Sequence, residues 1–154
     1  MTKEANLAAT ERWGASAGRY EVLNEILAPN FVDHDAAPDQ GPGIDGLNNF
    51  FQKMRSAFPD LKVEPVEVVA TDDHVAMRYT ISGTHRGDFQ GVAPTGKTFK
   101  VAALQLARFE NGQCVERWGS TDELGMMKQL GILADVANGG AEKEKGVIGA
   151  LFGE

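Results

Sequence analysis

Apolar side chains recur at three- and four-residue intervals between Ala5 and Leu27, at Leu7, Ala8, Trp13, Tyr20, Val22, Leu23, Ile26 and Leu27, and Gly14 and Gly18 interrupt the run. That period predicts two short helices or one kinked helix. Pro29 ends the segment, and the short stretch from Asn30 to Asp35 leads into a loop holding Pro38, Gly41, Pro42 and Gly43. A second amphipathic helix is predicted from about Ile44 to Phe58. Ile44, Leu47, Phe50, Phe51, Met54 and Phe58 make its apolar stripe, while Asn48, Gln52 and Arg55 face away.

After Pro59 and Asp60 the period drops to two. Strands are predicted over Leu61 to Ala70, His74 to His85, Lys97 to Phe109 and Gln113 to Thr121. Asp72-Asp73 leaves room only for a tight turn, and Asn111-Gly112 is a strong hairpin signal. Alternation puts Val75, Met77, Tyr79, Ile81 and His85 on one face of the second strand. Gln105 shares a face with Phe99, Val101, Ala103, Ala107 and Phe109, and Trp118 shares one with Cys114, Ser120 and Asp122. Leu104 and Leu106 lie opposite Gln105, so both faces of that strand are apolar, which predicts a homodimer joined sheet to sheet. Asp122 opens a last short helix carrying Leu124, Met127 and Leu130.

Helices followed by antiparallel strands is the pattern of an α+β domain: a cone-shaped, curved antiparallel sheet covered by N-terminal helices. Residues 1–133 form this domain, and the glycine-diluted residues 134–154 read as a tail. The length supports that unit, because 154 residues at 42% hydrophobic supply about 65 apolar side chains, enough for one core.

Charge narrows the partners. With 15 basic and 22 acidic residues, the net charge is -7 and no basic block occurs, which disfavours nucleic acid and anionic membrane surfaces. No apolar run approaches the roughly 18 residues of a membrane span, and Met1 to Trp13 is no signal-peptide core. A soluble, cytoplasmic protein is expected. The single cysteine, Cys114, has no internal disulfide partner and reads as a small apolar strand residue. His34, His74 and His85 lack zinc-site spacing, so no metal is expected. Asp33-His34-Asp35 reads as a solvated polar loop and His74 as an exposed turn residue. The glycines from Gly83 to Gly96 have no phosphate-loop spacing, and no serine sits in a nucleophile elbow.

If the three inward strand faces converge beneath the helices, they form an apolar cavity containing the imidazole of His85, the amide of Gln105 and the carboxylate of Asp122. That composition suits a small-molecule site. Structural roles stay open for the same groups: an inward His or Gln as a satisfied core residue, and Asp122, just before Glu123, Leu124 and Gly125, as a helix cap.

The stretches GIDGLNNFFQKMRSAFPDL, HVAMRYTISGTHRGDFQGVAPTGK and FENGQCVERWGSTDELGMMKQLG resemble the SnoaL-like polyketide cyclases of the nuclear transport factor 2-like superfamily. The likeness spans about Asn6 to Ile132. Its marks are Phe58-Pro59-Asp60, Gly83-Thr84-His85, Pro94-Thr95-Gly96, and Trp118 followed four residues later by Asp122. It implies a cone-shaped α+β barrel, a homo-oligomer built through the sheet, and a cofactor-free intramolecular aldol condensation of a polyketide ester. On that likeness Asp122 is the acid/base, Gln105 and His85 are polar pocket groups, and His34 lies near the rim. Trp118, Phe50, Phe51 and Met54 are candidate walls for a small hydrophobic or polyketide-like substrate, with Tyr79 on the pocket face.

Other chemistries fit the same equipment. A carboxylate base with neutral donors would also isomerise a ketone or dehydrate a β-hydroxy carbonyl. An epoxide hydrolase needs two carboxylates bridged by an arginine, and Arg78 is predicted on the strand face opposite His85. A non-catalytic protein that binds a hydrophobic small molecule is the alternative from a different class.

Overall fold

The computed structural model of the protein describes residues 2–137. Two N-terminal helices, α1 (Lys3–Ser16) and α2 (Tyr20–Ile26), take the place of the interrupted apolar run. Thr2 Oγ1 caps α1 by accepting from the Ala5 amide at 3.3 Å, and Ala17 ends it in the left-handed region at φ 48°. Helix α3 (Gly43–Ala57) buries Leu47, Met54 and Ala57. Arg55, on its polar side by pattern, reaches back so that Nη1 donates to the Ala17 carbonyl at 2.9 Å, joining α3 to the end of α1.

Five strands form one curved open sheet: β1 (Leu27–Asp33), β2 (Lys62–Ala70), β3 (His74–Thr84), β4 (Thr98–Glu110) and β5 (Gln113–Thr121), in the order β1-β5-β4-β3-β2. The four antiparallel strands are those the alternation predicts. The edge strand β1 pairs parallel with β5 and was not legible, because Pro29 removes a ladder donor and the register is irregular between Leu27 and Val32. The fold is therefore α+β with helices across a curved sheet. Helix α4 (Glu123–Leu130) and the single turn α5 (Leu133–Asp135) close one end. Val136, beyond the expected start of the tail, is buried in the core, and residues 138–154 of that tail lie outside the described residues.

Packing is dense at both ends of the sheet. Phe58, Phe99, Val101, Met127, Leu130 and Ile132 fill one end, and Trp13, Leu23, Leu27, Val75, Ala107 and Phe109 fill the other. Full burial of each of the large apolar side chains among them contributes roughly 1.5–3 kcal/mol. Between them, Met77, Tyr79 and Ala103 form a small central group, and Gln105 follows Ala103 on the same strand face.

One irregularity decides what faces the interior. Across the β4–β5 ladder, Phe109 pairs with Cys114 but Arg108 pairs with Glu116, so Val115 is an extra residue in a β-bulge. Cys114 and Val115 are both buried, and alternation after them is reversed. Arg117 takes the inward position beside Ala107, while Trp118 turns outward beside Leu106.

Candidate active site

A cavity of about 1770 Å³ opens between the central sheet face, α3, the loop after β1 and the loop after β3. Phe50, Phe51, Met54, Val63, Met77, Tyr79 and Ile81 supply apolar walls. Phe50 and Phe51 are in edge contact, 5.5 Å between ring centroids at 72°. Four of the expected substrate-contacting residues, Phe50, Phe51, Met54 and Tyr79, therefore lie on the cavity wall. The Tyr79 hydroxyl has no hydrogen-bond partner among the described residues, so it remains a donor for a bound molecule.

The polar centre is a chain of side chains. Arg117 Nε donates to Gln105 Oε1 at 2.8 Å, and Arg117 Nη1 donates to Asp33 Oδ1 at 2.9 Å. Gln40 Nε2 donates to Asp33 Oδ2 at 3.1 Å, tying the loop after β1 to the same pair. Gln105 is buried on the cavity wall, and its oxygen is committed to Arg117, while its NH2 group has no hydrogen-bond partner among the described residues. The guanidinium carries five N–H donors and spends two here. Gly119 makes room for it: a Cβ there would stand 2.4 Å from Arg117 Nη2. Neither Arg117 nor Asp33 was among the expected site residues. Of the Asp33-His34-Asp35 loop expected to be solvated, His34 and Asp35 are exposed but the Asp33 side chain is only 4% exposed, and the signal for Arg117 lay in the adjacent apolar pair Cys114-Val115, which breaks alternation.

Other expected residues stand elsewhere. Trp118 lies on the outer face because of the bulge, stacked on the His34 ring at 4.7 Å and 7°. His34 borders the cavity mouth, but its ring turns to Trp118 and its Nε2 lies 3.0 Å from Glu116 Oε1. Arg108 and His34 together hold the Glu116 carboxyl below its ordinary range. His85 is fully buried behind the cavity wall against Phe58 and Phe89. The Thr95 amide donates to its Nδ1 at 3.3 Å, so the ring pins the loop between β3 and β4. Asp122 is exposed and its Oδ1 accepts from the Gly125 amide at 2.9 Å, capping α4. The structure thus brings Gln105 into the cavity and leaves His85 and Asp122 outside its wall. Burial raises the Cys114 thiol to about 12, which suits an inert core residue.

Carboxylates ring the cavity, and most are engaged. Asp33 holds Arg117, Asp35 Oδ2 accepts from the Gly119 amide at 2.8 Å, Asp39 pairs with Lys53 at 2.8 Å, and Asp88 accepts from the Gly91 amide at 3.2 Å. Glu123, the first residue of α4, is half-buried on the wall and has no hydrogen bond or ion pair among the described residues. Burial pushes its carboxyl above the ordinary glutamate range.

Residues 3–130 match the SnoaL-like polyketide cyclase family. The chain belongs to that family. Among its relatives, the aklanonic acid methyl ester cyclase AcmA of Streptomyces galilaeus is 28% identical over 119 residues, covering 75% of this chain and 82% of AcmA. The structure of TsrD from Streptomyces laurentii superposes with a TM-score of 0.78 at 25% identity, covering 86% of this chain and 99% of TsrD. IdmH from Streptomyces antibioticus gives 0.71 at 32% identity, covering 85% of this chain and 99% of IdmH. No helix among the described residues is long and apolar enough to cross a membrane, and no group of three His, Cys, Asp or Glu residues there could hold a metal ion.

Proposed function

We propose that this protein is a cyclase that closes a ring in a polyketide ester by intramolecular aldol condensation, without a cofactor. The observation that carries the reading is the placement of the Gln105 amide and the Arg117 guanidinium in one cavity with the apolar side chains of Phe50, Phe51, Met54, Met77 and Tyr79. Removing a proton from a carbon between two carbonyls creates an enolate, and its oxygen needs donors already in place. Each well-aimed donor is worth about 3 kcal/mol in such a site. The Gln105 NH2, the unspent Arg117 N–H groups and the Tyr79 hydroxyl provide them, while Phe50, Phe51 and Met54 give flat rings an apolar wall. The chemistry is an isomerisation, so no oxidant, reductant or co-substrate is consumed. AcmA, whose name states that it cyclises aklanonic acid methyl ester, together with the polyketide cyclase family match, supports the substrate class.

An epoxide hydrolase is less well supported, since Arg117 bridges a carboxylate and an amide rather than two carboxylates. In this reading His85 holds the loop over the cavity and Asp122 holds the start of α4. We extend the proposal to a homodimer in the cytoplasm. Its support is an outer row formed by Val69, Ala76, Leu106 and Trp118, register neighbours across four strands, with Leu104 beside it.

The test is incubation of the purified protein with aklanonic acid methyl ester. A product of unchanged mass with a new carbon–carbon bond is expected. Saturable binding with no conversion would favour the non-catalytic ligand-binding alternative.

A further inference from the structure

We propose that Glu123, rather than Asp122, is the carboxylate that removes and returns the substrate proton in this cavity. The inference rests on the cyclase reading above and adds the identity of its base. Elimination carries it. A base must reach the cavity with an oxygen unspent, and it must be partly shielded from water. Asp33 lies on the wall with both oxygens engaged, Oδ1 by Arg117 and Oδ2 by Gln40, while Asp35, Asp39 and Asp88 lie there exposed, each with one oxygen already held by the Gly119 amide, Lys53 or the Gly91 amide. Asp135 is unpartnered among the described residues but exposed to water, so it fails the second condition. Asp122 is exposed, off the wall and spent on the helix cap.

Glu123 meets both conditions. It lines the cavity, is half-buried and has no partner among the described residues. Its backbone is held where the chain leaves the sheet: the Asp122 amide donates to the Ala102 carbonyl at 3.1 Å and the Met126 amide to the Asp122 carbonyl at 3.1 Å. Asp122 then caps α4 and takes no part in the proton transfer. Partial desolvation, with no cation beside it among the described residues, is the environment that strengthens a carboxylate as a base.

The step balances on the chain's own groups. The Glu123 carboxylate takes the proton from the carbon between two carbonyls, and the C–H electron pair becomes the enolate. The enolate carbon attacks a ketone carbon of the same molecule, forming the C–C bond as the carbonyl π pair moves to oxygen. Protonated Glu123 gives its proton to that alkoxide, restoring the carboxylate.

Two readouts on the full chain test the proposal, one of them independent of turnover. In the first, wild type, Glu123→Gln and Asp122→Asn are compared on aklanonic acid methyl ester. Glu123→Gln should lose about 100-fold or more in kcat with KM little changed, whereas Asp122→Asn, which can still cap, should stay within a few fold. In the second, melting temperatures are followed from pH 4 to pH 8. The wild-type carboxyl binds its proton more tightly folded than unfolded, so its contribution to stability is present at low pH and lost as pH rises through the folded value. Glu123→Gln should therefore melt above wild type at pH 8, with the gap closing toward pH 4. A wild type inert toward this ester overturns the cyclase reading on that substrate, while the melting comparison still judges Glu123. Equal melting curves at every pH, a Glu123→Gln enzyme within threefold of wild type, or loss confined to Asp122→Asn would each overturn the assignment to Glu123.

Discussion

Arg117 Nη1 lies 2.9 Å from Asp33 Oδ1, with 15% and 4% of the two side chains exposed, and the pair joins β5 to the edge strand β1 beside the cavity. Removing one member leaves the other charge buried without its partner, which in such pairs costs about 3–5 kcal/mol. Arg117→Met should show a loss of that size in urea unfolding. Asp33→Asn should be milder, since an amide can still accept from the guanidinium. The double variant Asp33→Asn/Arg117→Met should be more stable than the sum of the single losses implies. Strict additivity would show that the two side chains are not coupled.

Arg117 also marks where the sequence ceased to be legible. Period and turn chemistry were sufficient for α3 and for the four antiparallel strands, because Leu47, Met54, Met77, Tyr79 and Phe99 repeat at the spacing of the element they belong to. They were sufficient for the inward Gln105 too, since β4 alternates without interruption from Phe99 to Phe109. Strand β5 fails the same treatment because a bulge is a tertiary solution, fixed by how β4 and β5 align and not by local propensity. One extra residue exchanged Trp118 for Arg117 on the inner face and carried Asp122 out of the inward row. Asp33 was missed for a related reason. Its burial depends on β1 pairing with a strand more than eighty residues later, through Asp33 and Arg117 themselves.

Gly119 tests the geometry around that cation. An alanine Cβ would stand 2.4 Å from Arg117 Nη2 and 2.8 Å from Cζ, closer than real contacts allow. The guanidinium is the far end of a flexible chain, but Gln105 and Asp33 hold it, so it can yield only by giving up one of those bonds. Gly119→Ala should cost about 1 kcal/mol in stability through overpacking and lower kcat more than it raises KM. Wild-type kinetics in this variant would remove Arg117 from the enolate-binding role.

Asp122 should behave as a cap in unfolding experiments. Its Oδ1 accepts from the Gly125 amide at 2.9 Å, one of the orphan donors at the start of α4. Asp122→Ala should lose about 1 kcal/mol, and Asp122→Asn should lose little, because asparagine caps nearly as well. Equal losses in the two variants would mean that the charge, not the hydrogen bond, holds the turn.

The outer sheet face bears on assembly. Val69 is 60% exposed, Leu104 58% and Leu106 38%, and Leu106 pairs in register with Ala76 on one side and Trp118 on the other. Large apolar side chains from adjacent strands make a continuous patch of the kind soluble chains cover. A second copy can lay the same patch against it about a twofold axis, because an isologous contact needs only a self-complementary surface. Sedimentation at micromolar concentration should give a dimer for wild type. Leu104→Glu/Leu106→Lys should give a folded monomer, because both side chains point away from the core and the substitutions leave the inner face untouched. A wild-type monomer across that range, or a dimer that survives both substitutions, would show that copies of the chain do not meet on this face.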